Sequence, residues 1–265
     1  MQDRNTKKPT VIDLFSGCGG LSYGLESAGF EIRLGTDFWK DCLVTFAANH
    51  SGSEILEGDI TEVNTQSVMD AAGRKAVSLV VGGPPCQGFS LSGPRNFYDK
   101  RNQLYLEFLR VVKEVEPQAF IIENVLGLAS LFKGQVKDRI IEEFTKLGYT
   151  VVAKILNASD YGVPQNRRRI VFVGLKGKTK FEFPEPTHFD LVNGFNTHLG
   201  YPKVTVSDAI SDLPLLIDEM GAEEMAYTSK AMTNYQRLMR KGSKKLFNHV
   251  ASNHTDQTKK IIALV

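Results

Sequence analysis

The sequence predicts an α/β protein built on an open, doubly wound, mostly parallel sheet with helices on both faces. Three observations predict it. Strand-like and helix-like stretches alternate as far as about residue 175. The apolar run Val77–Val81 has the pattern of a strand buried on both faces of a parallel sheet. The first apolar run ends in Ser16-Gly17-Cys18-Gly19-Gly20, a tight turn that opens a helix.

Each element follows from its own pattern. Val11–Phe15 is the first strand, and the helix after its glycine turn runs through Ala28. Ile32–Thr36 reads as a strand and Trp39–Ala48 as the helix behind it. After Val77–Val81, the residues Leu104, Phe108, Val111, Val112 and Val115 share one helical stripe. Ala119–Ile122 is the next strand, and Val136, Ile140, Ile141, Phe144 and Leu147 form a second stripe. Val151–Leu156 and Ile170–Leu175 close the series. Beyond it the pattern breaks down, with Phe183-Pro184-Glu185-Pro186 as a boundary and one clear helical piece near Val206–Ile210. The expected organisation is a ligand-binding catalytic domain over 1–175 and a connecting segment with the start of a smaller region over 176–265. The closing run Lys260–Val265 carries no stop signal, so the sequence reads as a chain cut short.

Composition narrows the class. The 265 residues are 42% hydrophobic and 23% charged, which excludes a disordered or fibrous chain. No apolar run approaches the ~20 residues of a membrane span, and residues 1–10 lack the apolar core of a signal peptide. Three cysteines, Cys18, Cys42 and Cys86, are too few and scattered for a disulfide framework or a cysteine-rich zinc site. A cytoplasmic setting without metal is the expectation. Net charge is only +2, but its distribution is uneven. Asp208–Glu224 holds six acidic residues and no Lys or Arg, whereas Tyr227–Lys260 holds eight basic residues against Asp256 alone. Arg167-Arg168-Arg169 forms a second basic knot. Such asymmetry can mark a nucleic-acid face, although on charge alone a solvated surface is favoured.

In a doubly wound sheet, ligands sit at the carboxyl ends of the strands. The 17–20 turn lets backbone approach a ligand closely, without being the G-x-G-x-x-G of dinucleotide enzymes. Asp37 ends the second strand, where a carboxylate can accept from two ribose hydroxyls, and Phe38 or Trp39 could stack on a purine. Gly58-Asp59-Ile60 offers a carboxylate and an apolar contact suited to an exocyclic amine. Together these describe an adenosine pocket; singly, each is more simply a turn glycine, a helix cap or a core aromatic. Cys86, in the stiff loop Gly82-Gly83-Pro84-Pro85-Cys86-Gln87-Gly88-Phe89-Ser90, is a candidate nucleophile, with a buried structural thiol as the alternative. Glu123-Asn124 ends a strand at the same edge, so a thiol and a carboxyl could cooperate in nucleophilic addition with acid catalysis. Arg167 and Arg169 would share a face if that stretch is extended.

These segments carry a resemblance. Asp13–Gly20, Gly83–Ser90, Glu123-Asn124-Val125 and Gln165–Arg169 occur in the order and spacing of DNA cytosine-5 methyltransferases, most simply of the bacterial restriction–modification type. Asp59 within its Gly-Asp-Ile triplet and Arg101-Asn102-x-Leu104 also fit, and 200–214 fits more loosely. The resemblance implies a Rossmann-like S-adenosylmethionine-dependent methyltransferase fold. It implies cofactor contacts from Asp13, Phe15, Ser16, Gly17, Gly19, Gly20, Leu21, Asp37, Phe38, Trp39, Asp59, Ile60 and Pro84, with S-adenosylhomocysteine as product. Cys86 would add to C6 of a cytosine flipped out of duplex DNA, and Glu123 would engage N3 and the exocyclic amine. Asn124, Arg167 and Arg169 would orient them, while Gln87, Ser90 and Arg101 would contact the substrate.

The family's target-recognition region and C-terminal segment have no match before Val265, so 215–265, with His249, Asn253 and His254, reads as the approach to target recognition. The chain would be a piece of a longer enzyme or one subunit of a split one, with a cognate endonuclease or second subunit as partner. A tRNA cytosine-5 methyltransferase, a silent regulatory subunit and a nicotinamide oxidoreductase are the alternatives.

Overall fold

A computed structural model describes residues 7–73, 76–85, 104–130, 134–191, 199–216, 220–252 and 254–262. The chain divides into two compact units, 1–156 with 168–184, and 157–167 with 185–265. The first unit thus runs past residue 175 to Pro184, and the second takes in a short excursion between two strands.

In the first unit, β1 (Thr10–Leu14), α1 (Gly20–Ser27), β2 (Glu31–Asp37), α2 (Lys40–Asn49), β3 (Glu54–Glu57), α3 (Thr65–Ala71), β4 (Leu79–Gly82) and α4 (Leu104–Val115) follow in order. Then come β5 (Ala119–Val125), α5 (Leu126–Ser130), α6 (Gln135–Lys146), β6 (Tyr149–Asn157) and β7 (Arg168–Lys176). The sheet order is β3-β2-β1-β4-β5-β7-β6. Strands β1 to β5 pair in parallel, and β7 lies antiparallel to β5 with Glu123 opposite Val171 and Val125 opposite Arg169. This is the mostly parallel, Rossmann-like sheet expected. The antiparallel member has a simple cause. The 157–167 connection contains only a 3₁₀ turn, Ala158–Tyr161, and no helix with which to cross over into a parallel strand.

β1 and β4 are buried at every position, as continuous apolar runs in a sheet covered on both faces require. On one side Phe108 of α4, Phe120 of β5 and Phe144 of α6 meet, with Phe120 and Phe144 at 4.1 Å between ring centroids. On the other, Val11, Ile32, Phe46, Leu79 and Val81 form a smaller cluster against which Leu21 and Leu25 pack. β1 sits between β2 and β4, where the strand order reverses, and such a switch point opens a crevice at the carboxyl ends. Gly82 keeps that crevice tight, because a Cβ there would stand 2.2 Å from the Leu14 carbonyl oxygen.

The second unit contains β8 (His188–Phe189) beside β9 (Tyr201–Pro202), α7 (Val206–Ile210), β10 (Gly221–Met225), α8 (Asn234–Met239), β11 (Leu246–Val250) and α9 (Asp256–Ile262). Capping boxes start α7 (Thr205 with Asp208) and α8 (Thr233 with Gln236). Among its described residues the fully buried ones are Ser159, Asp212 and Gln236, all polar. Arg240 pairs with buried Asp212 and stacks its guanidinium 3.6 Å from the Tyr227 ring centre, and Lys245 pairs with Glu224. Two members of the basic 227–260 series are therefore engaged within the unit itself. Among the described residues, no helix is long and apolar enough to cross a membrane.

Candidate active site

The turn after β1 is bent hard. Phe15 has φ 58°, Gly17 φ 53° and Gly19 φ 87°, and for a bulky residue such as Phe15 the left-handed region is costly unless its surroundings enforce it. The enforcement comes from β2. Ser16 N–H donates to the Thr36 carbonyl at 3.0 Å, and Gly17 N–H donates to Asp37 Oδ2 at 3.0 Å. The other Asp37 oxygen accepts from Trp39 N–H at 3.0 Å. Asp37 thus fastens two strand-end turns together and still stands in the wall of a cavity.

That cavity, of about 170 Å³, lies at the carboxyl ends of β1 to β4 and is lined by Phe15, Thr36, Asp37, Phe38, Gly58, Asp59, Ile60, Pro85 and Leu104. It is smaller than the ~300–1,000 Å³ of a site enclosing a whole ligand, so it suits one end of a larger molecule. Its wall is mostly apolar with two carboxylates. Asp59 Oδ1 accepts from the Thr61 backbone at 2.9 Å and hydroxyl at 2.8 Å, which holds its pKa below the usual value. Phe38 lines the cavity although 70% exposed, whereas Trp39 caps α2 and does not line it. Thr36, Pro85 and Leu104 are lining residues that sequence reasoning missed as site residues: Thr36 was read only as part of a strand, Pro85 only within a loop motif, and Leu104 only within a helical stripe and a motif.

Three other expected cofactor residues act at one remove. Asp13 is buried, its carboxyl pushed up to about 7 chiefly by desolvation. It accepts from the Ser22 hydroxyl at 2.6 Å, so it faces α1. Leu21 packs on the core beneath the turn. Gly19 is required where it is, since a Cβ there would sit 2.3 Å from His50 Nε2. His50 itself went unnoticed in the sequence. It is buried, with Nδ1 3.0 Å from Glu26 Oε2 and Nε2 3.1 Å from the Gly19 carbonyl oxygen. Both partners accept, so the ring bonds both at once only as the imidazolium when Glu26 is ionised.

At the end of β5, Arg169 Nε lies 2.9 Å from Glu123 Oε1. Register explains the meeting, because Arg169 pairs with Val125 across the β5–β7 ladder. Buried Asn124 donates to the Pro84 carbonyl at 2.9 Å, and its own Oδ1 accepts from Val125 N–H at 2.9 Å. Gly83 is close enough that a Cβ would stand 3.5 Å from Glu123 Oε2. The strand ends of β4 and β5 thus bring Gly83, Pro84, Glu123, Asn124 and Arg169 together. Arg167 belongs to the second unit. Cys86, Gln87, Ser90, Arg101 and Asn253 lie outside the described residues.

The comparisons bear on this geometry. The chain matches the family described as C-5 cytosine-specific DNA methylase over residues 9–264. It is 40% identical over 256 residues to the type II methyltransferase M.DdeI of Desulfomicrobium norvegicum, across 93% of this chain and 58% of that protein. It is 42% identical over 221 residues to the type II methyltransferase M.AquIA of Picosynechococcus, across 77% of this chain and 88% of that protein. Against three of its curated relatives the chain spans 58%, 60% and 60% of their length. A solved structure described as a DNA modification methyltransferase encoded within an E. coli prophage aligns with a TM-score of 0.70 and 28% identity, over 97% of this chain and 69% of that one.

Proposed function

The chain belongs to the C-5 cytosine-specific DNA methylase family, and on that premise we propose that it transfers a methyl group from S-adenosylmethionine to C5 of a cytosine flipped out of double-stranded DNA. The setting would be a restriction–modification system acting on DNA in the cytoplasm. The observation that carries this reading is the charged pair Glu123–Arg169 at the edge of the sheet where the Gly83-Pro84 loop begins.

The cavity residues fit the adenosine end of such a cofactor. Thr36 Oγ1 is buried and has no partner among the described residues, although Thr36 lines the cavity, so a polar ligand atom would complete it. Asp37 would receive ribose hydroxyls, Asp59 the exocyclic amine through its second oxygen, and Phe15, Phe38 and Ile60 the apolar faces. When bound, S-adenosylmethionine supplies an electrophilic methyl group. The protein's part is to make cytosine a nucleophile. The Cys86 thiolate adds to C6, while Glu123 binds N3 and the amine, so electron density gathers at C5. After methyl transfer, loss of the C5 proton and expulsion of the Cys86 thiolate restore the ring. Arg169, bonded to Glu123, fixes its rotamer, and Asn124 holds the Pro84 carbonyl and with it the start of the Cys86 loop. Glu123→Gln is expected to lower kcat by about 10²- to 10⁴-fold, the usual worth of general acid catalysis, with an unchanged cofactor Kd by calorimetry. A matching loss of cofactor affinity would move Glu123 out of that role.

We further propose that a longer chain or a second subunit completes the second unit. Its described residues bury no hydrophobic side chain fully, while Leu215 is 83% exposed and Leu238 and Met232 are each 62% exposed. A region that buries so little apolar surface has little to hold it together alone. The deciding experiment supplies labelled S-adenosylmethionine and unmethylated DNA to this chain, alone and with such a completing segment, and assays 5-methylcytosine with tRNA as competitor. Label at cytosine C5 of DNA supports the reading. Label found only in tRNA, or none with the completed protein, overturns it.

A further inference from the structure

Arg110 of α4 ties three segments together through four side-chain hydrogen bonds. Its Nε donates to Glu107 Oε2 at 2.7 Å, within α4. Its Nη1 donates to Thr65 Oγ1 at 2.8 Å, at the start of α3. Its Nη2 donates to two backbone carbonyls, Ile60 and Val63, each at 2.9 Å. Only a guanidinium offers enough donors in a fixed plane to reach four acceptors on three segments.

The location of those acceptors matters. Ile60 and Val63 belong to the loop from β3 to α3, which supplies Gly58, Asp59 and Ile60 to the cavity wall. That loop leaves an edge strand of four residues, and its internal bonds run from Glu62 and Val63 N–H to the Asp59 carbonyl and from Thr61 to the Asp59 carboxylate. These shape the loop, Gly58 N–H ties its start to the Asp37 carbonyl at 3.0 Å, and Ile60 and Val63 pack against the core. Arg110 fastens it to α4, the helix whose first residue, Leu104, lines the same cavity.

We propose that Arg110 is a positioning residue that sets cofactor selectivity: by holding the Ile60 and Val63 carbonyls it fixes the Asp59-Ile60 wall at the distance an exocyclic amine needs. The proposal rests on the adenosine end occupying this cavity. A slack wall would still bury a purine face, but would no longer separate an amine from an oxygen at the same ring position. The discrimination between the two is therefore the quantity Arg110 controls.

The test is calorimetric binding of S-adenosylhomocysteine and of its inosine counterpart, which carries oxygen in place of the amine, to wild type, Arg110→Lys and Arg110→Met. Circular dichroism verifies that each variant is folded at the temperature used. Wild type is expected to favour the adenosine compound. In Arg110→Met that preference should fall by about tenfold, the worth of one well-made hydrogen bond, with a smaller fall for lysine, which retains the charge and some donors. If the methionine variant does not fold, the lysine variant carries the test. An unchanged preference in a folded variant, even one with lower thermal stability, makes Arg110 a structural brace only and overturns the proposal. Wild type binding neither compound would instead overturn the cofactor reading beneath it.

Discussion

Replacing Cys86 with alanine is expected to abolish methyl transfer, by on the order of 10⁶-fold, the scale on which removal of a covalent nucleophile is felt. The case rests on what precedes it in the chain. β4 ends at Gly82, packed against the Leu14 carbonyl; Gly83 passes Glu123, and the Pro84 carbonyl is held by Asn124. The loop thus reaches position 86 from a fixed point beside a carboxylate. The other two thiols are poorly suited to stand in. Cys18 sits in the turn after β1 and Cys42 in the first turn of α2, where burial and the neighbouring Cys18 thiol push the Cys42 pKa up and leave it less thiolate. Cofactor affinity should be unchanged, because the partner assigned to the thiolate is C6 of the cytosine and not the cofactor. DNA bearing 5-fluorocytosine offers a second readout. Its C5 substituent cannot depart as a proton, so wild type should form an adduct stable in detergent and Cys86→Ala none. Transfer by the alanine variant within tenfold of wild type would remove Cys86 from the chemistry.

The sheet was largely legible because burial leaves a mark on single residues. β1, β2, β4, β5, β6 and β7 all fall on stretches read as strands, and α7 falls on the predicted Val206–Ile210. β3 left no such mark: its sequence, Glu-Ile-Leu-Glu, sits at the sheet edge with most of its residues exposed. Nor does an apolar run encode strand direction, so the antiparallel β7 was open until the helix-free 157–167 connection was seen. The candidate site divides in the same way. Strand-end residues such as Asp37 and Glu123 could be read from position alone, since the carboxyl edge of the sheet is where ligands go. Asp13, His50 and Arg110 could not, because their roles consist of partners 9, 24, 31, 45 and 50 residues away. Charge counting is blind to partners for a related reason. Arg240 counts as one of a basic series in sequence, yet in the fold it is neutralised by Asp212 and covers the Tyr227 ring. Fewer residues of that series are therefore free cations than the sequence count suggests.

Asp13→Asn should flatten the fall of stability with pH. The Asp13 carboxyl moves from 3.8 in the unfolded chain to about 7 in the folded one, chiefly because burial disfavours its charge. Between those values the unfolded chain has released the proton and the native protein still holds it. Stability contributed by the protonated carboxyl is therefore fully present below pH 3.8 and is lost as pH rises to about 7. At ~1.36 kcal/mol per pH unit, the whole loss is about 4 kcal/mol, of which about 2 should appear between pH 5 and 7. Asparagine can still accept from Ser22 but does not ionise, so the difference between variant and wild type in urea unfolding isolates this one group. The variant can be the less stable at pH 5, where its amide N–H groups need partners that the acid did not, yet it should gain on wild type steadily toward pH 8. His50 sharpens the expectation, because its charge pulls the Asp13 value down. His50→Gln should extend the fall to higher pH, since it removes a charge that lowers the Asp13 value. Parallel pH profiles for wild type and Asp13→Asn would show that the carboxyl beneath the turn is ionised throughout.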